Sequence, residues 1–372
     1  MPIYLTTQKR PRKKMKILFI IRDMVIGGAG KQLALTANAL SEKGHEVYIY
    51  SYFGGENKHI LNPCVKYIAQ APIPDSKLKE YLWAVPHIRN QMKMIKPDIA
   101  ISWRCNAGCF TVLAALGLPI KTVFSERSDP YTETSLLLKI SAFFCNFSSA
   151  GVFQTEAVQK YYKRLTSRSV VIHNPFDPQI GNQESIPFQK RKNEIVHIAR
   201  MMIVQKRQDV MLNAFKIFLQ KHPDYTLTFY GDGQDFNQVR NLAQNLQIEK
   251  NIYFLGDVIG ASKKIGTAKM LVLTSDYEGI PNVIMEAFAM GVPVVSTDCS
   301  PGGARVLIND GQNGYITPTG NAQAIAAKME AIVENEEKAT NFITKGKEKL
   351  CQFSPDLIFE KWNKFLNQLI KN

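Results

Sequence analysis

From residue 16 the chain alternates short, nearly all-apolar runs with longer stretches where apolar residues return every three or four positions. The run 16–21 is β-branched and aromatic after its lysine, the pattern of a strand buried on both faces. Gly27-Gly28-Ala29-Gly30 then turns the chain, 31–43 carries the helical period, and Gly44 closes it. Residues 47–52 form the next strand and complete a βαβ unit. The same pattern predicts strands at 98–102, 122–125, 151–154 and 170–173. It stops at His173-Asn174-Pro175-Phe176-Asp177-Pro178, and the chain to Pro187 is rich in Pro, Asn, Gln and Gly. A second series starts at 194–198 and continues through 226–230, 252–255, 270–274 and 293–296. The expected fold class is therefore α/β, with two Rossmann-like, doubly wound domains. The boundaries read as a basic, disordered tail at 1–14, a first domain at 15–175, a linker at 176–190, a second domain at 191–352 and a terminal helix at 353–372. Two such domains place a ligand in the cleft outside the C-terminal ends of their strands.

Composition narrows the class. At 372 residues the chain is too long for one ordinary core, and 45% hydrophobic with 21% charged residues describes a globular protein. Six cysteines make no disulfide framework, and Cys105 and Cys109 have no second Cys or His pair at zinc spacing. The basic start is followed by an apolar run too short for a signal sequence, and no uncharged apolar stretch reaches the ~18 residues that span a bilayer. A cytoplasmic protein with reduced thiols is expected, peripheral at the inner face of the membrane if it meets one. The net charge of +14 is uneven: residues 1–186 hold 24 basic and 13 acidic side chains, the remainder 22 and 19. A basic first half suits an anionic partner, and equally a generally basic protein with a basic tail. Residues 76–96 interleave Lys77, Lys79, Arg89, Lys93 and Lys96 with Tyr81, Leu82, Trp83, Ile88, Met92 and Ile95. They read as a basic amphipathic helix interrupted at Pro86, either lying on an anionic membrane surface or packed on the core.

The candidate chemistry centres on 275–286, Ser-Asp-Tyr-Glu-Gly-Ile-Pro-Asn-Val-Ile-Met-Glu. Pro281 suits the first turn of a helix, Glu286 falls inside that helix, and Gly291 can end it. A helix start offers unpaired backbone N–H groups, a seat for phosphate. Glu278 and Glu286 flank that seat, and carboxylates there suit a ligand that also carries hydroxyls. A sugar nucleotide has both; two solvated glutamates on an ordinary loop–helix would show the same spacing.

This stretch, continued through Ala287-Phe288-Ala289-Met290-Gly291-Val292-Pro293-Val294-Val295-Ser296-Thr297-Asp298, resembles the E-x7-E motif of retaining GT-B glycosyltransferases, in particular glycosyltransferase family 4. The resemblance covers about residues 16–350 and implies the GT-B fold, with the last helix crossing back onto the first domain. It implies that Glu278 faces the donor sugar and Glu286 the ribose, within a donor loop that includes Ile280, Pro281, Asn282 and Val283. His197 through Lys206 is similar to the family's G-R-L…Q-K segment, with Ala199 where glycine is usual, so Arg200 and Lys206 would clamp the donor diphosphate. Fixed cations stabilise the charge that builds on a leaving diphosphate. Arg200, Lys206 and Glu278 are thus the expected catalytic residues, with Glu278 not assigned as a covalent nucleophile.

Gly28 lies in a turn that fits neither the dinucleotide nor the Walker A glycine pattern, but matches the family's Gly-Gly loop facing the diphosphate. Tyr230-Gly231-Asp232-Gly233 is similar to a structural G-D-G turn, and Leu255-Gly256-Asp257-Val258 to a segment whose backbone nears the base, which nominates Val258. Ser125-Glu126-Arg127-Ser128-Asp129-Pro130 stands where many members have a histidine; Glu126 and Arg127 are expected either to contact the sugar or acceptor or to form a buried ion pair. Val306 stands where the family often has glutamate. No Asp-x-Asp occurs, so no metal and no cofactor are expected beyond the nucleotide sugar as co-substrate. The implied reaction moves a hexosyl or N-acetylhexosaminyl unit, from a UDP-sugar, to a hydroxyl of a lipid-linked or polysaccharide acceptor with retention. The alternatives are an epimerase or sugar phosphorylase on this fold, or a basic nucleic-acid-binding protein. No nucleic-acid-binding motif supports the last, and no nucleic acid is expected as a partner.

Overall fold

The computed structural model describes residues 14–371 apart from 26, 71–76, 133, 181–185 and 259; the side chains of 77, 78, 81, 262 and 263 are also outside it. The basic tail through residue 13 and part of the expected linker lie outside the described residues. The first sheet consists of β1 (Lys16–Ile21), β2 (Glu46–Ser51), β3 (Lys66–Ala69), β4 (Ile99–Trp103), β5 (Lys121–Glu126), β6 (Ala150–Phe153) and β7 (Ser169–Val171). The second consists of β8 (Lys192–Ile198), β9 (Thr226–Tyr230), β10 (Ile252–Phe254), β11 (Ala268–Leu273), β12 (Val294–Thr297) and β13 (Tyr315–Thr317). The strand orders are β3-β2-β1-β4-β5-β6-β7 and β10-β9-β8-β11-β12-β13, and the neighbours pair in parallel. Both sheets are doubly wound: the order reverses beside β1 in one and beside β8 in the other, and such a reversal opens a crevice at the C-terminal strand ends.

Side chains of adjacent strand residues point to opposite faces, and each face of the first sheet is covered. Ile17, Phe19 and Ile21 pack with α1 (Gly28–Glu42) and the C-terminal helix Pro355–Lys371, whose Ile358, Trp362 and Leu366 are buried there. Leu18 and Ile20 face the other way, onto α2 (Lys77–Ile95) and α3 (Cys105–Ala115). Next to α3 lies α4 (Leu136–Cys145). The indole of Trp362 stacks on Trp103 with centroids 6.1 Å apart, and Trp103 Nε1 donates to the Ala29 carbonyl at 3.0 Å. The C-terminal helix is thereby tied to the glycine turn after β1. All six cysteines are free thiols. Among the described residues no helix is long and apolar enough to cross a membrane.

Three details differ from the sequence reading. Strands β3 and β13 were not expected; both are edge strands of three or four residues, too short for a pattern, and are held by pairing to β2 and β12. Helix α1 begins at Gly28 rather than residue 31, so the glycines form its first turn. Helix α2 runs unbroken through Pro86. That proline is exposed, as is Leu82, whose carbonyl it leaves without a helical donor, and solvent can take that bond. One turn on, the His87 ring stacks on Trp83 and its Nδ1 lies 2.7 Å from the Trp83 carbonyl. The apolar face of α2 is in the core, with Ala84, Ile88 and Met92 buried.

Candidate active site

Four segments meet where the two strand-order reversals face each other: the turn after β1, the loop after β8, the loop after β11 and the junction near Asn174. Two of them are stitched within the second domain. After β8 the chain forms a short helix, Ile203–Lys206, and Arg207 then adopts a left-handed conformation that starts the helix Gln208–Leu219. The Arg207 guanidinium bonds Asp209 and, at 2.9 Å, Asp276. Asp276 N–H donates to the Gln205 carbonyl at 2.9 Å, and Gln205 Nε2 donates to the Tyr277 carbonyl at 3.0 Å. This locks the Lys206 loop onto the Glu278 loop. Lys206 Nζ forms an ion pair with Glu278, whose carboxylate also accepts from Ser275 Oγ at 2.8 Å.

Behind Lys206, the Thr274 hydroxyl donates to the Lys206 carbonyl at 2.7 Å and lies 3.2 Å from His197 Nε2. A hydroxyl whose proton is committed to a carbonyl must accept from the ring, which puts the imidazole proton on Nε2. His197 Nδ1 is buried with no hydrogen-bond partner among the described residues, and burial, then the Lys206 charge, pushes the His197 pKa down to about 3. The ring is neutral and holds the Lys206 backbone from below.

The motif helix is Asn282–Ala289, with Pro281 at its N-cap rather than in its first turn, and Gly291 left-handed beyond its end. The first hydrogen bond of that helix is Ile284 N–H to the Pro281 carbonyl, so the N–H groups of Asn282 and Val283 lie at its open start. Glu286, one turn further, is paired across the cleft with Lys31 of α1: Nζ lies 2.8 Å from Glu286 and 3.1 Å from Asp177. Burial works against the Lys31 charge, but Glu286 and then Asp177 outweigh it and raise its pKa above the ordinary lysine value. Asn282 Oδ1 accepts from Asn174 Nδ2 at 2.8 Å and Gln32 Nε2 at 3.3 Å. Gln154 Oε1 accepts from Ile280 N–H at 3.2 Å. A Cβ on Gly28 would stand 3.0 Å from the Asn282 amide nitrogen, so the glycine turn and the helix start approach as closely as a glycine permits.

The sequence-derived residues therefore divide. Gly28, Lys206, Glu278, Ile280, Pro281, Asn282, Val283 and Glu286 come together at the cleft. Arg200 is exposed at the end of β8, and among the described residues no hydrogen bond or ion pair joins its guanidinium to Glu278 or Glu286. It stands beside the turns 230–233 and 255–258, which are joined by Gly231 N–H to the Gly256 carbonyl at 2.8 Å. Val258, half-buried, follows the second turn and packs on the core.

Glu126 and Arg127 are both buried at the end of β5, and among the described residues no salt bridge joins their side chains. Glu126 is buried in the first domain, accepting from the N–H groups of Arg127 and Ser128, from Ser128 Oγ, and from the Tyr162 hydroxyl at 3.1 Å. Arg127 lies over Trp103 at 4.2 Å, donates to Ser125 Oγ and Asn174 Oδ1, and its Nη2 has no hydrogen-bond partner among the described residues. Burial lowers its pKa to about 9 despite the Glu126 charge. Lys31, Gln154, Asn174 and His197 were missed. In sequence Lys31 is one more lysine on a helix; only its place directly after the glycine turn marked it.

Comparison with known proteins follows the same division of the chain. Residues 26–180 match the model for Glycosyltransferase Family 4, and residues 180–349 the model for Glycosyl transferases group 1. A Campylobacter jejuni protein named GalNAc-alpha-(1->4)-GalNAc-alpha-(1->3)-diNAcBac-PP-undecaprenol alpha-1,4-N-acetyl-D-galactosaminyltransferase is 28% identical over 96% of this chain and 99% of its own length. An uncharacterized glycosyltransferase of Haemophilus influenzae is 24% identical over 94% of this chain and 99% of its own. Among solved structures, Anabaena HepE in complex with UDP and glucose superposes with a TM-score of 0.79 at 20% identity, covering 95% of this chain and 100% of that one. The pneumococcal O-GlcNAc transferase GtfA, in complex with UDP and GlcNAc, gives 0.77 at 14% identity over 96% and 100%. Matched by two successive models across residues 26–349 and built on two facing doubly wound sheets, the chain belongs to the GT-B glycosyltransferases of the family 4 type.

Proposed function

We propose that this glycosyltransferase of glycan biosynthesis is a retaining enzyme that moves a hexosyl or N-acetylhexosaminyl unit from a UDP-sugar to a hydroxyl of a lipid-linked or polysaccharide acceptor. One observation carries the reading: each motif glutamate holds a lysine, Lys206 on Glu278 and Lys31 on Glu286, so acids and cations alternate around the helix start. A diphosphate fits the cations and the N–H groups of Asn282 and Val283. Hydroxyls at its two ends fit the carboxylates, with Glu278 toward the donor sugar and Glu286 toward the ribose. An ammonium has three donors, so Lys206 can keep Glu278 and reach a phosphate oxygen as well. Arg200 would enter the clamp by a change of rotamer, and the backbone near Val258 would border the base.

In the proposed step the bond from the anomeric carbon to the β-phosphate oxygen breaks, and the acceptor oxygen bonds to that carbon on the same face. The acceptor proton passes to the departing phosphate. The charge growing on that phosphate is met by Lys206, held in place by Glu278, and by Arg200 once it has turned in, which leaves no requirement for a metal ion. UDP in the complexes of HepE and GtfA supports the choice of base, and the PP-undecaprenol in the name of the Campylobacter relative supports a lipid-linked acceptor.

A thermal-shift screen against UDP-, GDP- and ADP-sugars tests the donor, and NMR of the first-formed product tests the anomer. Stabilisation by UDP-sugars and a product of unchanged configuration are expected, with turnover surviving a chelator. An inverted product, or preference for another base, would remove the corresponding part of the reading.

A further inference from the structure

We propose that α4 and the loop that follows it dock the first domain on an anionic lipid bilayer. Leu136, Ile140, Phe143 and Phe147 recur at intervals of four, three and four residues, one face of a helix and its first turn beyond, and are between 42% and 73% exposed. The opposite face is accounted for: Ser141, Ala142 and Cys145 are buried. Four large apolar side chains along one exposed helix face need an occupant.

The surrounding charge names it. Arg164 lies over the rings of Phe143 and Phe147, 5.6 and 5.2 Å from their centroids. Lys139, Lys160, Lys163 and Arg168 are exposed around it, and Glu156 is the only acid within residues 136–170. A row of leucine, isoleucine and phenylalanine bordered by cations suits an interface of anionic headgroups over acyl chains. It suits a protein partner poorly, because lysine is depleted from such interfaces. Helix α2, the basic helix of the sequence reading, has Ala84, Ile88 and Met92 in the core, and among its described side chains the large exposed apolar ones are Leu82 and Met94, twelve residues apart.

Placement joins this surface to the chemistry. In a doubly wound sheet the helix after a strand starts at the strand's C-terminal end, so Leu136, in the connection after β5, is the end of α4 nearest the cleft. A bilayer lying on α4 would hold a lipid-anchored hydroxyl at the cleft rim. That orientation rests on the proposed lipid-linked acceptor; the docking itself does not.

The test is co-sedimentation of the full chain with phosphatidylglycerol vesicles and with phosphatidylcholine vesicles, at low and high salt, without donor or acceptor. Binding to the anionic vesicles that weakens in salt is expected. The double substitution Phe143→Ser with Phe147→Ser should lower vesicle affinity by about tenfold or more, and so should Lys139→Glu with Arg164→Glu, which leaves the apolar row intact. Lys79→Ala with Lys93→Ala on α2 should change binding less. UDP-sugar thermal shifts should be unaltered in all three, which separates this proposal from the catalytic one. Absence of binding by the unaltered protein, binding indifferent to both α4 variants, or a dimer that the α4 substitutions dissociate would each overturn it.

Discussion

Lys31 Nζ stands 2.8 Å from the Glu286 carboxylate, across the cleft between the two sheets, and 3.1 Å from Asp177 in the junction that joins them. One first-domain cation thus sets the second acid of the motif and the linker at once. All three side chains are largely buried, so removing the lysine takes away the countercharge that both carboxylates face, the costly way to break such a pair. Lys31→Met should raise the donor KM by about tenfold with a smaller change in kcat, and Lys31→Arg should recover part of it. Steady-state kinetics decide; a fall in kcat at unchanged KM would place Lys31 in the chemical step instead. The sign with pH is fixed by the raised pKa. The pair is intact below the ordinary lysine value and is lost only as pH rises through the higher folded one. No Lys31 limb should appear between pH 7 and 10.

Lys206 has a different task under the proposed mechanism, since its charge matters most as the phosphate leaves. Lys206→Ala should lower kcat by roughly 100- to 1000-fold, the range for removing one oriented donor to a developing anion. Glu278→Ala, which strands the lysine, should not add its full effect in the double variant, because the two share one ion pair. Additive losses would mean that the two act separately.

Gly279 packs tightly against the first domain. A Cβ there would collide with the Gln154 side-chain oxygen and the Arg127 carbonyl. The amide can turn away, but the carbonyl, just past the end of β5, cannot. Gly279→Ala should therefore push the motif loop off the first domain, destabilising by about 1–3 kcal/mol and lowering kcat/KM. Adding Gln154→Ala should give back only part. Full recovery would mean that the backbone contact is unimportant.

His197 predicts a dependence on acid. Its folded pKa is near 3, whereas an exposed histidine titrates near about 6.5. The unfolded chain therefore takes up the proton first, and stability falls as pH drops below about 6.5, by about 1.4 kcal/mol per unit. Urea unfolding at pH 7 and pH 5 should show a smaller loss for His197→Gln, by about 2 kcal/mol. Equal losses would show that the ring gains a proton without unfolding.

The division of the chain into two α/β series was legible because parallel strands buried on both faces are nearly continuous apolar runs, as β1, β4 and β11 are, and as β8 is over its buried half from Ile195. The edge strands β3 and β13 were not, since three or four residues carry no period. Glu278, Glu286 and Lys206 could be singled out because their signal is local: a loop, a helix start, a short spacing. The burial of Glu126 and Arg127 was not legible, because a strand end shows which residues reach the sheet rim, not what later covers them: the Tyr162 hydroxyl bonds Glu126, and Trp362, over two hundred residues on, lies over Arg127.

By itself, then, the order of residues determined the element types, the two sheets and the anion-ready loop with its acids, all products of short-range periodicity and turn chemistry. Only the tertiary structure decided that Lys31 reaches Glu286, that Gln154 and Asn174 bind the motif loop, and that α4 leaves a row of apolar side chains exposed. Each depends on which surfaces meet after folding. A helix's pattern shows that one face is apolar, but what lies against that face is set by residues far away in the chain.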